Sequence, residues 1–375
     1  MIYLDSGATS FPKPKMVEQA VVRALRTCAN PGRGGHKAAM EAAKTVLSCR
    51  ERAGELFGCS PEQVVFTSNC THGLNMAIRT LVKPGARVVI TGFEHNAVLR
   101  PLTALSAKIT VAGDRLFDPS HTLEQWETAL KKGADAAVFT HVSNVFGYVQ
   151  PIHEMAALCR QHGVPFVIDA AQSAGVLPID LQTLGADFIA MPGHKGLLGP
   201  QGTGILLCNR LPEPLIFGGT GSRSADAFMP DFLPDAGEAG TVNVPGIAGL
   251  SAGLGFLQKT GLAAIQKREQ QQLHRCVRGL RNLGYRVFYG KEQSGVVSFQ
   301  PEGDCEDLAQ WLAQQNIAVR AGLHCAPLAH KSAGTLARGT VRVSYGWTAC
   351  HRQTDLLLKT LEESKKIMNS YCHNS

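Results

Sequence analysis

In the stretch Pro165-Phe166-Val167-Ile168-Asp169-Ala170-Ala171-Gln172-Ser173, an unbroken apolar run ends on a carboxylate. A strand with one wet face alternates apolar and polar residues, whereas one covered on both faces reads as continuous apolar sequence. The run therefore predicts an inner strand of a parallel sheet with helices on either side. The same grammar recurs at residues 64–66, 87–90, 108–111 and 136–139 upstream, and at 187–190 and 204–207 downstream. Amphipathic stretches at 124–131 and 154–161 have the length of crossover helices. The expectation is an α/β chain whose large domain, residues 18–255, holds a mainly parallel seven-stranded sheet. Residues 211–246, rich in glycine, proline and acidic residues, read as a long functional loop. Beyond them, a helical segment at 247–282, strands at 285–288, 295–300 and 341–344 and a helix at 305–315 predict a smaller α+β domain. Residues 1–17 and 256–375 are assigned to it.

Composition narrows the function. The 375 residues are 44% hydrophobic and 18% charged, a globular mixture far from disordered or collagen-like chains. The net charge is 37 − 30 = +7, but the cations are scattered, which argues against nucleic-acid binding and suits a small anionic ligand. No apolar run approaches the roughly 18 residues of a membrane span. The opening Met1-Ile2-Tyr3-Leu4-Asp5-Ser6 lacks the pattern of a signal peptide. A cytoplasmic protein without a membrane partner is expected. The 11 cysteines are an odd number with no Cys-x-x-Cys pair and no zinc-like spacing, so neither a disulfide framework nor a metal site is indicated. Cys49, Cys159 and Cys208 read as small buried packing residues.

In an open α/β sheet, ligands gather where strands end, and there the polar motifs fall. Thr67-Ser68-Asn69-Cys70-Thr71-His72-Gly73 follows one strand and should open a helix near Leu74; it is a phosphate cup or an ordinary helix cap. Asp169 ends a buried strand and needs a cation or donor, for which a protonated ring nitrogen would serve, unless it simply caps the turn. Lys195 sits in the glycine-rich turn Met191-Pro192-Gly193-His194-Lys195-Gly196, where a desolvated amine of lowered pKa could support Schiff-base chemistry.

The order of these motifs resembles the pyridoxal-phosphate enzymes of the class V aminotransferase family, and within it the cysteine desulfurase and selenocysteine lyase group. Tyr3-Leu4-Asp5-Ser6-Gly7-Ala8-Thr9, Glu94-His95-Asn96-Ala97, His141 to Gly147, Glu238 to Asn243 and Arg320-Ala321-Gly322-Leu323-His324-Cys325-Ala326-Pro327 extend the resemblance over nearly the whole chain. It implies the fold type I of pyridoxal-phosphate transferases, usually a homodimer. It implies that Lys195 carries the cofactor and that Asp169 keeps its ring nitrogen protonated. Gln172 would bond the phenolate oxygen and His95 would stack on the ring. Cys70, Thr71 and His194 would hold the phosphate, with Thr241 reaching the phosphate of the neighbouring subunit. Asn144, Arg342 and Arg320 would orient an amino-acid substrate, Arg342 by a bidentate grip on the α-carboxylate.

Cys325 occupies the position of the group's persulfide-forming cysteine. The implied reaction converts L-cysteine to L-alanine and leaves sulfur on Cys325 for an acceptor protein. It needs a thiolate, which positive charge from Arg320 or His324 would favour. Selenocysteine lyase shares nearly every residue, a transaminase would have no use for Cys325, and a non-catalytic binding protein would not need Lys195 and Asp169. Pro192 replaces a usual serine or threonine, which removes one phosphate donor; His72 stands where Glu is common, and Ser6 and Gly7 replace Asn and Ala.

Overall fold

The computed structural model describes residues 1–32 and 34–372. In chain order it runs through β1 (Ile2–Tyr3), α1 (Lys15–Thr27), α2 (Lys37–Phe57), β2 (Val64–Thr67), α3 (Cys70–Leu81), β3 (Arg87–Ile90), α4 (Asn96–Ala104), β4 (Lys108–Val111), α5 (Pro119–Lys131), β5 (Ala136–Thr140), α6 (Ile152–Gln161), β6 (Phe166–Asp169), α7 (Leu181–Leu184), β7 (Phe188–Pro192) and β8 (Gly204–Cys208). After the long loop come α8 (Val244–Thr260), α9 (Leu262–Asn282), β9 (Arg286–Phe288), β10 (Val296–Gln300), α10 (Cys305–Gln314), β11 (Ile317–Ala318), β12 (Arg320–Gly322), α11 (Pro327–Ser332), β13 (Thr340–Ser344) and α12 (His351–Cys372).

The large sheet has the order β2-β8-β7-β6-β5-β3-β4. Its strands are parallel except β8, which runs against both its neighbours. All seven apolar runs are strands, so the chain has the α/β fold with a mainly parallel sheet expected of it. Alternate residues of each inner strand feed two cores: Phe139, Phe166, Ile168 and Ile189 pack toward α2, α5, α6 and α8, and Val138, Val167, Phe188 and Ala190 toward α3 and α4. Two-sided burial is the physical reason these strands read as unbroken apolar sequence. β4 is the edge, and its Lys108, Thr110 and Val111 are exposed. Cys49 and Cys159 lie in the first core and Cys208 in the second.

The smaller sheet is antiparallel, ordered β12-β13-β10-β9, with its own core around Leu273, Val297, Phe299, Leu312 and Val343. β1 leaves the N-terminus to pair in parallel with β11, so the first residues join this layer. Several boundaries differ from expectation by a few residues, α5 for instance beginning at Pro119, and two differences have a plain local cause. α3 begins at Cys70 rather than near Leu74, because the Asn69 side chain caps it by accepting from the His72 N–H at 2.9 Å. The helical stretch 247–282 is two helices, since Gly261, at φ 80°, ends α8 and starts α9.

Candidate active site

The parallel strands and β2 share one direction, so their C-terminal ends converge on one edge of the sheet. There β2 delivers the start of α3, β3 delivers His95, β5 delivers Asn144, β6 delivers Asp169 and β7 delivers Lys195. Asp169 is 2% exposed. Its hydrogen bonds all fall on Oδ1, which accepts from the Ala171 N–H at 2.8 Å and the Cys70 thiol at 3.6 Å. Among the described residues Oδ2 has no partner. Burial, with Asp169 alongside, pushes the Cys70 thiol far up, so its side chain is a neutral donor to Asp169. What Cys70 and Thr71 offer an anion is backbone: their N–H groups open α3 without an intrahelical acceptor. The Thr71 side chain is exposed beside them.

Lys195 lies half-buried at the centre, lining the cleft. Burial first, then Arg342, lowers its pKa; Cys70 and Asp169 act in the opposite direction, and Arg320 adds to the lowering. Asp169, Lys195 and Arg320 also act on His95, whose pKa falls mainly through burial. His95 Nδ1 accepts from the Ala97 N–H at 3.0 Å, so a neutral ring carries its proton on Nε2 and presents it to the site. Gln172 donates to the Gly7 carbonyl at 2.9 Å. The N-terminal segment straps this floor from outside. The Thr9 hydroxyl, Ser10 N–H and Lys13 amine all donate to the His194 carbonyl, at 3.0, 3.0 and 2.7 Å. The His194 ring meets Thr9 Oγ1 at 3.1 Å and is held neutral, its pKa down to about 4 through burial and the neighbouring lysines.

The other wall carries Cys325. Leu323 to Ala326 form a tight turn: the Ala326 N–H donates to the Leu323 carbonyl at 2.9 Å, with φ of 50° at His324 and 56° at Cys325. Two successive positive φ values are the type I′ pattern, unfavourable for non-glycine residues and kept only where the surroundings enforce it. They do so here. The Cys325 carbonyl accepts from the Asn96 N–H at 2.8 Å, and the His324 carbonyl from Asn144 Nδ2 at 2.7 Å. Asn144 also accepts, through its own carbonyl, from Arg342 Nη1 at 2.9 Å. Cys325 is left exposed at the tip. The positive charge expected from His324 is not there. Its ring is buried against His330, 5.7 Å between centroids, and burial drives its pKa down to about 2. The cations that act on the turn are Arg342 and Arg320.

Thr241 lies on the long loop, lining a cleft with Ser68 and His72 beside the start of α3. The loop is anchored by Glu238, which accepts from the Phe66 N–H and from Arg50 Nη2, each at 2.6 Å. Sequence reasoning assigned no role to Asp5, Asn96, Glu94 or Glu269. Asp5 accepts from Arg342 Nη2 at 2.7 Å. Glu94, fully buried beneath His95, accepts from Thr91 and Thr140. Glu269 is 4% exposed on the cleft that Lys195 also lines, and among the described residues has no hydrogen-bond partner. A carboxylate inside a run of long polar residues, 266–272, carries no periodic signal that sets it apart.

Burial raises both Glu94 and Glu269 from 4.5 to about 8. Between those values the folded chain keeps protons that the unfolded chain has released, so stability falls as pH rises through the window. Glu269→Gln cannot ionise. We expect its melting temperature to stay within about 1 °C of the wild type at pH 5 and to exceed it by roughly 1–3 °C at pH 8.5, equivalent to about 1–2 kcal/mol in a chain of this length. An equal gap at both pH values would show that ionisation of Glu269 is not the cause.

The residues fit pyridoxal 5′-phosphate. A buried carboxylate with an unpartnered oxygen, a half-buried lysine, an imidazole at the same sheet edge and a helix start with free N–H groups are the donor set such a group requires. Residues 2–357 match the family model described as Aminotransferase class-V. The chain is 32% identical to a probable cysteine desulfurase of Pyrococcus abyssi, over 99% of this chain and 96% of that one. It is likewise 32% identical to a probable cysteine desulfurase of Methanothermobacter thermautotrophicus, over 96% and 94%. Among solved structures, an apo cysteine desulfurase of Thermococcus onnurineus NA1 superposes with a TM-score of 0.90 at 32% identity, covering 97% of this chain and 94% of the other.

Proposed function

Since the chain belongs to the class V aminotransferase family, whose members work with pyridoxal 5′-phosphate, we propose that it is a cysteine desulfurase, converting L-cysteine to L-alanine and taking the sulfur onto Cys325. The observation that carries this reading is the Cys325 turn. A strained turn clamped by Asn96 and Asn144, with its thiol in the open, has a purpose in sulfur transfer and none in transamination.

When bound, the cofactor supplies an electron sink that loosens bonds around the substrate α-carbon. The protein supplies the rest. Lys195 would anchor the group and move protons. Asp169 Oδ2 would keep the ring nitrogen protonated, Gln172 would bond the phenolate and His95 would cover the ring. The Cys70 and Thr71 N–H groups and His194 would hold the phosphate. Pro192 offers no donor there: it pairs with Gly204 on β8 and has neither hydroxyl nor N–H. Arg342 and Asn144 hold the carboxylate end, with Arg320 nearby. Cys325 Sγ, as a thiolate, attacks the substrate sulfur; the carbon–sulfur electron pair withdraws into the substrate, which takes up a proton and leaves as alanine, and the sulfur stays as Cys325 persulfide.

Thr241 completing the phosphate site of a second copy, a homodimer, a cytoplasmic location and an acceptor protein for the persulfide belong to the same proposal. The long loop, with Phe217 and Phe228 exposed at 76% and 89%, supports contact with another copy. Among the described residues no helix is long and apolar enough to cross a membrane. The large domain is proposed as residues 18–255 and the small one as 1–17 and 256–375. The test is direct. Purified protein loaded with cofactor and given cysteine and a thiol reductant should release alanine and sulfide in equal amounts. Pyruvate in place of alanine, or turnover of selenocysteine alone, would overturn the assignment.

A further inference from the structure

Asp5 reaches Arg342 on a rigid lever. β1 is fixed to β11, the Leu4 N–H donates to the Ala318 carbonyl at 2.9 Å, and Asp5 bridges to Ser344. The Gly7 N–H then donates to Ser344 Oγ at 2.8 Å. The guanidinium at the end of this lever is 1% exposed. Its Nη1 donates to the Asn144 carbonyl and its Nη2 to Asp5 Oδ1, which leaves one N–H on each Nη, beside the unpartnered Nε–H, for a ligand. Arg320 is the cross-strand partner of Arg342 on β12 and adds a second guanidinium. Burial draws the pKa of Arg342 down, Asp5 is the main group that opposes this, and Arg320 repels it. Two cations and one carboxylate leave a single positive charge at this end of the site.

We propose that Asp5 is a positioning and specificity-determining residue for the carboxylate subsite: it turns the free N–H pair of Arg342 toward the substrate and cancels one guanidinium charge, so that the subsite takes a single carboxylate in preference to a dianion. The identity of the substrate rests on the desulfurase reading; the choice among carboxylates does not. Gly7 separates position from charge. A Cβ there would lie 3.1 Å from Arg342 Cζ and 3.2 Å from Nη2, close enough to shift the guanidinium by a few tenths of an ångström without altering any charge.

The experiment compares cofactor-loaded wild type, Asp5→Asn, Asp5→Glu and Gly7→Ala. Alanine formation from cysteine gives KM and kcat, and calorimetric titration with propionate and with succinate gives mono- and dianion affinities. Asp5→Asn should raise KM about tenfold, the effect of about 1.4 kcal/mol, with kcat within roughly threefold. The succinate-to-propionate affinity ratio should rise by a similar factor. Asp5→Glu should recover most of both, and Gly7→Ala should raise KM with the ratio unchanged. A folded Asp5→Asn protein with unaltered KM and ratio overturns the proposal, and a KM change without a ratio change removes its charge half. Should that variant fail to fold, an unaltered KM in Gly7→Ala, or wild type binding succinate more tightly than propionate, overturns it instead. A wild type that makes no alanine refutes the desulfurase reading, while the two titrations still decide this one.

Discussion

Cys325→Ser should lose cysteine desulfuration on the order of 10³-fold or more, as removal of a nucleophile does in other enzymes, while keeping its cofactor and its affinity for cysteine. The substitution changes one atom at an exposed turn tip whose backbone is held by Asn96 and Asn144 whatever the side chain. Lys195, Asp169 and Arg342 are untouched, so the visible spectrum and its response to added cysteine should survive. Sulfide and alanine should not appear. A thiol ionises within reach of neutral pH in general, whereas an alcohol does not, and an alkoxide is a poor nucleophile toward sulfur. Selenocysteine is the informative control, because its weaker carbon–selenium bond can break without a thiolate. Retained selenide release beside lost sulfide release locates the defect at sulfur attack. Full cysteine turnover in the serine variant would return Cys325 to a structural role and remove the persulfide step.

The fold was open to reading because its strands are covered on both faces. Phe166-Val167-Ile168 and its six counterparts could be recognised without knowing which residues they touch. What faces the sheet edge was also legible, since Asp169 and Lys195 each follow an apolar run directly. Other elements were missed, for different reasons. β1 has two residues and exists only because β11 lies beside it. α1 and α2 precede the strand grammar that organised the rest. Charge at the Cys325 turn could not be read either. A histidine next to a cysteine in sequence suggests a cation, but the type I′ turn swings His324 inward against His330 while Cys325 points out. Asp5 stood within a quoted motif, yet its partner is 337 residues away, and it takes the β1–β11 pairing and the bridge to Ser344 to bring the two together.

Asp169→Asn should keep the fold and the cofactor but slow turnover by roughly 10²–10³-fold, the range seen when one preorganised electrostatic partner of a reacting centre is removed. The argument starts from the two carboxylate oxygens, which have different duties. Oδ1 is spent on the chain itself, accepting from Ala171 and Cys70. An asparagine carbonyl can replace it there, so the turn that follows β6 should survive and the melting temperature should stay the same or rise as a buried charge disappears. Oδ2 is free, and its charge is what would keep a ring nitrogen protonated. An amide presents a donor at that point instead, and a protonated nitrogen has no use for it. The Lys195 linkage and the α3 N–H groups do not depend on this charge, so cofactor content after dialysis should be near that of the wild type. The absorbance of the bound cofactor should shift as its ring nitrogen loses a proton. Unchanged turnover would take Asp169 out of the chemistry. Loss of fold would make its bond to Ala171 the reason the carboxylate is there. A slow, folded, coloured variant is the expected result, because only Oδ2 distinguishes aspartate from asparagine in this pocket.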